Sequence, residues 1–400
     1  MKHVAPLMTA LLWCAACGVN EVAVEIRGGD GHLVRLDAND LKFQHNRLVQ
    51  AGTHTYSELK SGAYRVSVVA GEYVDSRLLQ LESAPISGVA RQEVVFDVPP
   101  GANAPTERTG TILYAATPTR VRNWDLFTVD VASGEIRQLT DTRDFEQHPS
   151  WSPAGDRILF TMGDVMTNVD IWVMNADGSD RKRLTEHEER DQRAAWSPDG
   201  NQIAFVSQRD GDVGVWVMDA DGGNKRKLVQ GREPAWCPDG QRIAFTSSAF
   251  EGNDEIYVIG VDGGGMRRLT DHKKIDQLPA WSPDGLRLVM ASERFGGQEL
   301  LVAGGDLTSQ VRISVAENTF ELGPQWSPDG RGIAYSGKMT IGADDELVAD
   351  EKGRPIGTYD IYLVEAAGFD WDDVPERPVR PTNLTKTDDR DERSPSWRPF

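Results

Sequence analysis

Through most of this chain, short apolar runs alternate with polar stretches that hold Gly, Pro, Asp or Asn. The copy from Ala195 to Leu228 shows the unit. Ala195-Trp196 is followed by Pro198-Asp199-Gly200, then by the apolar run Ile203-Ala-Phe205-Val-Ser207. A polar loop from Gln208 to Gly214 leads to Val215-Trp-Val-Met218, a second tight turn at Ala220-Asp-Gly-Gly223, and a last run from Lys225 to Leu228. Proline presets φ at the first turn and glycine supplies its positive-φ position. The pattern predicts strand, turn, strand, loop, strand, turn, strand. Such a meander cannot bury both of its faces alone, so it must stack against copies of itself.

Copies are present. The second-strand signal recurs as Ile112-Leu-Tyr114, Ile158-Leu-Phe160, Ile203-Ala-Phe205, Ile243-Ala-Phe245, Leu288-Val-Met290 and Ile333-Ala-Tyr335. The first-strand phrase recurs as Trp151-Ser-Pro-Ala-Gly, Trp196-Ser-Pro-Asp-Gly, Trp236-Cys-Pro-Asp-Gly, Trp281-Ser-Pro-Asp-Gly, Trp326-Ser-Pro-Asp-Gly and, at the C-terminus, Trp397-Arg-Pro. Successive tryptophans lie 45, 40, 45, 45 and 71 residues apart, a period that suits one four-stranded propeller blade. The first copy begins at its second strand, and the piece it lacks, Pro395-Ser-Trp397-Arg-Pro-Phe400, ends the chain. The expected fold is therefore all-β. It is a six-bladed β-propeller closed by pairing the C-terminal strand with the first blade, which removes the open edges of a linear array.

Pro-Ala-Trp-Ser-Pro-Asp-Gly, an Ile-Ala-Phe strand, an Ile-Tyr-Val strand, Asp-Gly-Gly and Arg-Leu-Thr together resemble the TolB-like, WD-related propeller repeat. The resemblance covers roughly residues 109–400. The Gly-His and Trp-Asp signals of the eukaryotic WD repeat do not recur with the repeats. TolB-like propellers bind partner proteins in the bacterial envelope, so the resemblance implies a non-enzymatic platform of that kind. It does not imply a place in a Tol–Pal system, because the family's protein carries a different, α/β N-terminal domain.

The first residues change the picture of where the protein works. Lys2 and His3 form a small basic start, Val4 to Trp13 an apolar stretch, and Cys14-Ala-Ala-Cys17 a small-residue cleavage site. This looks like a bacterial lipoprotein signal over residues 1–16, with Cys17 the acylated first residue of the mature chain. Cys14 departs from the leucine usual there, and a simple secretory signal is the alternative. Gly18 follows the cysteine rather than an aspartate, which in a Gram-negative cell implies an outer-membrane lipoprotein facing the periplasm or the cell surface. No apolar run approaches the roughly 20 residues that span a bilayer, so membrane contact is expected only through the lipid. Net charge is −19, which disfavours a nucleic-acid partner.

Between the signal and the repeats the texture differs. Val22 to Ile26, Tyr64 to Val69, Arg77 to Leu81 and Glu93 to Val98 are alternating strand candidates. Leu59-Lys-Ser-Gly-Ala-Tyr64 and Gly71-Glu-Tyr73 resemble the signature of carboxypeptidase-regulatory-like β-sandwiches. Residues 17–98 are thus expected to form a small sandwich, a spacer, with 99–109 a Pro- and Gly-rich linker and 110–400 the propeller.

Candidate sites follow from the repeat. Five residues before each tryptophan stand Glu146, Asp191, Gly231, Asp276, Glu321 and Glu392, with Glu233 close by in the shortened fourth blade. Radial repetition would gather these carboxylates at one mouth of the channel, where they would attract a cation: a basic peptide segment of an envelope protein, or a divalent ion. Oxygen-only ligands suit Ca2+, although no cofactor is required. The competing expectation is local pairing with arginines. In the sixth blade the loop from Gly337 to Thr358 is long and carries Asp344, Asp345 and Glu346, a second candidate binding segment on the same face. A carbohydrate-binding surface lipoprotein is another alternative, with Trp124, Phe320 and Trp371 as its candidate aromatics.

Other signals dissolve on inspection. Gly332 to Thr340 nearly spells a phosphate loop, but its glycines span a blade strand and Met339 takes the hydroxyl position. Asp219-Ala-Asp-Gly222 lacks the spaced ligands of a calcium loop. Trp172, Trp216 and Tyr257 share one third-strand position and suit packing between blades. His148, His187 and His272 stand at unequal offsets from their tryptophans, which does not suit a three-histidine metal site. No nucleophile elbow or metalloprotease motif occurs, which argues against the remaining alternative, a propeller-type hydrolase or lyase.

Overall fold

The computed structural model describes strands within residues 19–97 and, in detail, residues 110–399 apart from 119–122, 165, 251, 305–309, 314–319, 339–357, 366–380 and 388–389. The chain divides into two compact units, Met1–Thr106 and Glu107–Phe400. In the first unit seven strands form two sheets. Gly52–Leu59, Val19–Arg27 and Val89–Asp97 make one, with the last two parallel; Gln44–Val49, His32–Ala38, Gly62–Ala70 and Tyr73–Leu81 make the other. Three of the four strands expected there lie within three of these, and the fourth, Glu93 to Val98, overlaps Val89–Asp97 but runs one residue past its end. Side chains of this unit fall outside the described residues, and so does the packing that would make it a sandwich. Cys17, the signal and the 99–109 linker are outside them as well.

The second unit is the six-bladed propeller. Its innermost strands, from the first blade onward, are Arg390–Trp397, Phe145–Trp151, Asp191–Trp196, Arg232–Trp236, Asp276–Trp281 and Phe320–Trp326. Each heads a four-stranded sheet, and each touches the next around a closed circle. The first blade is built as expected. Arg390–Trp397 lies antiparallel to Thr111–Pro118, with Trp397 opposite Ile112.

Second strands explain why their sequences are apolar throughout rather than alternating. Ile112, Leu113 and Tyr114 have no exposed surface, nor do Ile203, Ala204 and Phe205, because a neighbouring blade covers each face. Each tryptophan of the repeated phrase packs against the preceding blade. Trp196 joins Leu159, Ile171 and Val173 of the second blade, and Trp397 joins Ile361 and Leu363 of the sixth. An arginine covers several of these indoles: Arg157 over Trp196, Arg242 over Trp281 and Arg398 over Trp151, 4.8, 5.5 and 5.1 Å from the ring centres.

The remaining repeat residues are structural. Ser197 Oγ donates to Asp199 Oδ1 at 2.6 Å and accepts from Gln202 N at 2.9 Å, while Gly200 takes φ +72°. The Thr of Arg-Leu-Thr, and of Asn383-Leu-Thr385 in the sixth blade, is buried, and its hydroxyl accepts a third-strand N–H: Ile171 to Thr185 at 3.0 Å, Ile256 to Thr270 at 2.9 Å, Ile361 to Thr385 at 3.0 Å. Asp221 and Asp219 build a tight turn, accepting from Gly223 N and the Asn224 side chain. Gly332–Lys338 is a plain second strand, so the near-phosphate loop is a blade segment.

Candidate binding channel

Every innermost strand breaks its ladder at the same place. Three residues before each tryptophan stand His148, Arg193, Glu233, Leu278, Gly323 and Ser394, with φ of 51°, 55°, 58°, 57°, 57° and 57°. Register shifts bracket all six, so each strand carries a bulge. The next residue is proline in five blades and alanine in the third (Pro149, Ala194, Pro234, Pro279, Pro324, Pro395). Proline suits the site because it lacks the N–H a continuous ladder would need. A left-handed conformation costs a non-glycine residue about 1–2 kcal/mol, and five of the six accept it. The left-handed conformation recurs at an equivalent point in every blade, and all six residues stand beside one cavity.

The six residues line a cavity of about 280 Å3 inside the ring, floored by the tryptophan end of the inner strands. Its wall is asymmetric. His148, Arg193 and Glu233 form a polar arc on consecutive blades; Leu278, Gly323 and Ser394 form the other. Glu233 is held in place: its Oε2 accepts from Thr246 Oγ1 at 2.9 Å and Leu278 N at 3.0 Å. Its Oε1 lies 3.9 Å from Arg193 Nη1 and 3.8 Å from Arg232 Nε, and Arg232 also pairs with Asp254. Burial holds the His148 imidazole well below the usual histidine range, and the Arg193 charge pushes the same way. The ring is therefore neutral. Its Nδ1 is shut away from solvent and has no hydrogen-bond partner among the described residues.

The carboxylates expected at the channel mouth require a correction. Glu146, Asp191, Asp276, Glu321 and Glu392 are fully buried and turned into the seams between blades. Glu146 accepts from Thr142 Oγ1 and Arg181 Nη1, both at 3.2 Å, and Asp191 from Arg209 Nη2 at 2.7 Å. Asp276 pairs with Arg294, Glu321 accepts from Leu300 N at 3.1 Å, and Glu392 from Thr387 Oγ1 at 3.1 Å. The cavity is lined instead by the left-handed residues themselves, two positions later, where the bulge interrupts the strand. Of the acidic set only Glu233 lines the cavity. Asp344, Asp345 and Glu346 lie outside the described residues. Among those described, no group of three or more His, Cys, Asp or Glu side chains could hold a metal ion, which leaves Ca2+ without a gathered ligand set there.

The other candidates find local roles. His187 and His272 accept backbone N–H groups of Glu189 and Lys274 through Nδ1, each at 3.0 Å. Trp172, Trp216 and Tyr257 pack within the blade clusters. Trp124 is half-buried against Phe145, ring centres 6.5 Å apart; Phe320 is half-buried at the head of an inner strand; Trp371 is outside the described residues. Sequence reasoning missed the channel ring because its six residues share no chemistry. The recurrent proline after them was the available signal.

The comparisons agree with this architecture. Against solved structures the chain resembles TolB from Acinetobacter baumannii at 16% identity, covering 86% of this chain and 81% of that one, with a TM-score of 0.61. A putative TolB from Agrobacterium tumefaciens follows at 18% identity, 73% and 100% coverage and a TM-score of 0.51. Hydrazine synthase from Kuenenia stuttgartiensis is similar over 73% of this chain and 47% of its own, at 13% identity and a TM-score of 0.55. Identities this low speak for the fold alone. No curated protein matches the sequence. The family model of the TolB beta propeller domain matches residues 120–233 and 229–346, and on that ground the chain belongs to the TolB β-propeller family.

Proposed function

We propose that this protein is a non-enzymatic binding platform of the bacterial envelope, whose propeller takes a segment of a partner protein into its central channel. The observation that carries the reading is the ring of six left-handed residues around the cavity. Their left-handed backbone is repeated in every blade, whereas their side chains differ from blade to blade. A purely structural repeat would keep its side chains alike, as the buried tryptophans do. A wall that varies on a rigid frame is how a scaffold acquires specificity. Membership of the TolB β-propeller family supports an envelope setting. Within that setting, residues 1–16 would be a signal, Cys17 the lipidated anchor, and residues 17–98 a spacer carrying the propeller off the membrane.

The test is capture of partners from envelope extracts by the full chain bearing Cys17→Ser, compared with the same chain bearing Leu278→Arg as well. Leu278→Arg fills the cavity from the arc opposite Arg193. Copurifying proteins lost with that substitution support the channel as the binding site. Identical capture by both would remove the channel from the proposal.

A further inference from the structure

We propose that Arg193 and His148 form a receptor for a carboxylate group inside the channel, borne by the partner segment as an acidic side chain or a chain end. This rests on reading the channel as a partner-binding site and names the chemistry it recognises.

Among the described residues the Arg193 guanidinium has no acceptor at hydrogen-bond distance: its acidic neighbour, Glu233 Oε1, is 3.9 Å from Nη1. Glu233 cannot draw closer without releasing Thr246 and Leu278, which hold its other oxygen. The guanidinium is thus steadied by a neighbouring charge while its fork of donors stays open to the cavity. A planar fork matches a carboxylate through two parallel hydrogen bonds.

His148, on the adjacent blade, completes the pair. As a neutral imidazole it offers one N–H, and its buried Nδ1 lacks a partner. Nδ1 is shut away from solvent, so a ligand oxygen in the cavity would meet the ring at its other nitrogen. Both residues are fixed in left-handed conformations by the bulges beneath them, which preorganises the two donors. The opposite arc supplies Leu278 and Pro324, apolar surface suited to a methylene stem. A cavity of about 280 Å3 has room for one or two residues of a peptide, not for a folded element.

Trp196, Trp236 and Trp281 line the same cavity, so binding is readable from intrinsic tryptophan fluorescence of the full chain. The probes are the α-N-methylamides of N-acetylglutamate and N-acetylglutamine, in which the side-chain carboxylate of the first is the single carboxylate and the second has none. The expected result is a saturable fluorescence change with the acid and an at least tenfold weaker response to the amide. Arg193→Gln should weaken the acid at least tenfold and abolish the preference. Arg193→Lys, which keeps the charge but not the fork, should fall between, and it serves if the glutamine variant does not fold. Equal responses to acid and amide, or unchanged affinity in both variants, would overturn the receptor. If Leu278→Arg abolishes partner capture while Arg193→Gln leaves it intact, the carboxylate receptor fails and the platform stands. If the acid binds through Arg193 but capture ignores Leu278→Arg, the platform fails and the receptor stands.

Discussion

Gly231 donates its backbone N–H to the carbonyl of Val213 at 3.1 Å, which sets it beside Gly214 across the seam between the third and fourth blades. At the other seams these two positions carry carboxyl groups. The corresponding residues are Asp125 and Glu146, Asp170 and Asp191, Glu255 and Asp276, Glu299 and Glu321, and Asp360 and Glu392. The same backbone bond recurs there, from Glu146 to Trp124, Asp276 to Asp254, Glu321 to Gln298 and Glu392 to Tyr359. Both acids are replaced together because the fourth blade is short. Its inner strand follows directly on Arg226–Gln230 and leaves no space for a side chain.

Gly231 therefore gives the first prediction. A Cβ there would stand 2.6 Å from Phe245 Cδ2 and 2.8 Å from the Thr246 carbonyl oxygen, on a backbone with φ +156°. Neither neighbour is a flexible chain end. Gly231→Ala should lower stability by about 2–4 kcal/mol, read from urea unfolding monitored by fluorescence. A loss below about 1 kcal/mol would show that the seam can open to accept a methyl group.

At the closing seam the relevant group is Glu392. Glu146, Asp191 and Asp276 each contact a guanidinium, whereas the bonds described for Glu392 come from hydroxyl and backbone donors, and Asp360 faces it. Burial, with the Asp360 charge adding, raises its carboxyl from 4.5 to about 7. The folded state thus holds a proton that the unfolded chain has released. The stabilisation from that proton is complete below about pH 4.5 and is lost as pH rises through 7. Glu392→Gln keeps the shape and removes the ionisation. Relative to the parent it should gain roughly 3 kcal/mol between pH 4 and pH 8, measured by denaturation at both values. Parallel pH profiles for the two proteins would refute the assignment.

The ring was legible in the sequence because each blade repeats residues whose tasks are local: Trp against the preceding blade, Ser-Pro-Asp-Gly in the turn, Thr on the third strand. Ile112-Leu-Tyr114 without a strand before it, and Trp397 without one after it, sufficed to expect the closure. The site was harder. Glu146 and Asp191 lie where alternation points a side chain inward, and only the left-handed turn at His148 and Arg193 shows that it does not. Such a turn has no residue signature when histidine, arginine, glutamate, leucine and serine all adopt it. What was visible was Pro149, Pro234, Pro279, Pro324 and Pro395, a recurrent refusal to donate to the ladder.

Closure by the C-terminal strand can be tested by removing residues 393–400. The deletion takes away Trp397, packed with Ile112, Tyr114, Ile361 and Leu363, and leaves the first blade with three strands and an open inner edge. Losing a buried tryptophan alone costs about 3–5 kcal/mol. The truncated chain should lose its cooperative melting transition, followed by circular dichroism, or melt far below the parent. An unchanged transition would mean that the ring closes without this strand.

Cys237 stands where four of the other five copies have serine, and it gives a probe of the fourth blade. It is buried, and burial pushes its thiol up to about 12, so almost no thiolate exists at neutral pH. Its turn still closes, with Arg242 N bonded to Asp239 Oδ1 at 3.2 Å and the Arg242 guanidinium 3.3 Å from Sγ. Alkylation of Cys237, followed by mass spectrometry of its peptide, should be negligible in the folded protein at pH 8 and rapid in denaturant. Labelling in sub-denaturing urea should track global unfolding, because Sγ lies in one packed cluster with Trp281 of the next blade. Labelling that runs ahead of the global transition would instead identify the seam between the fourth and fifth blades as the place where the ring first opens.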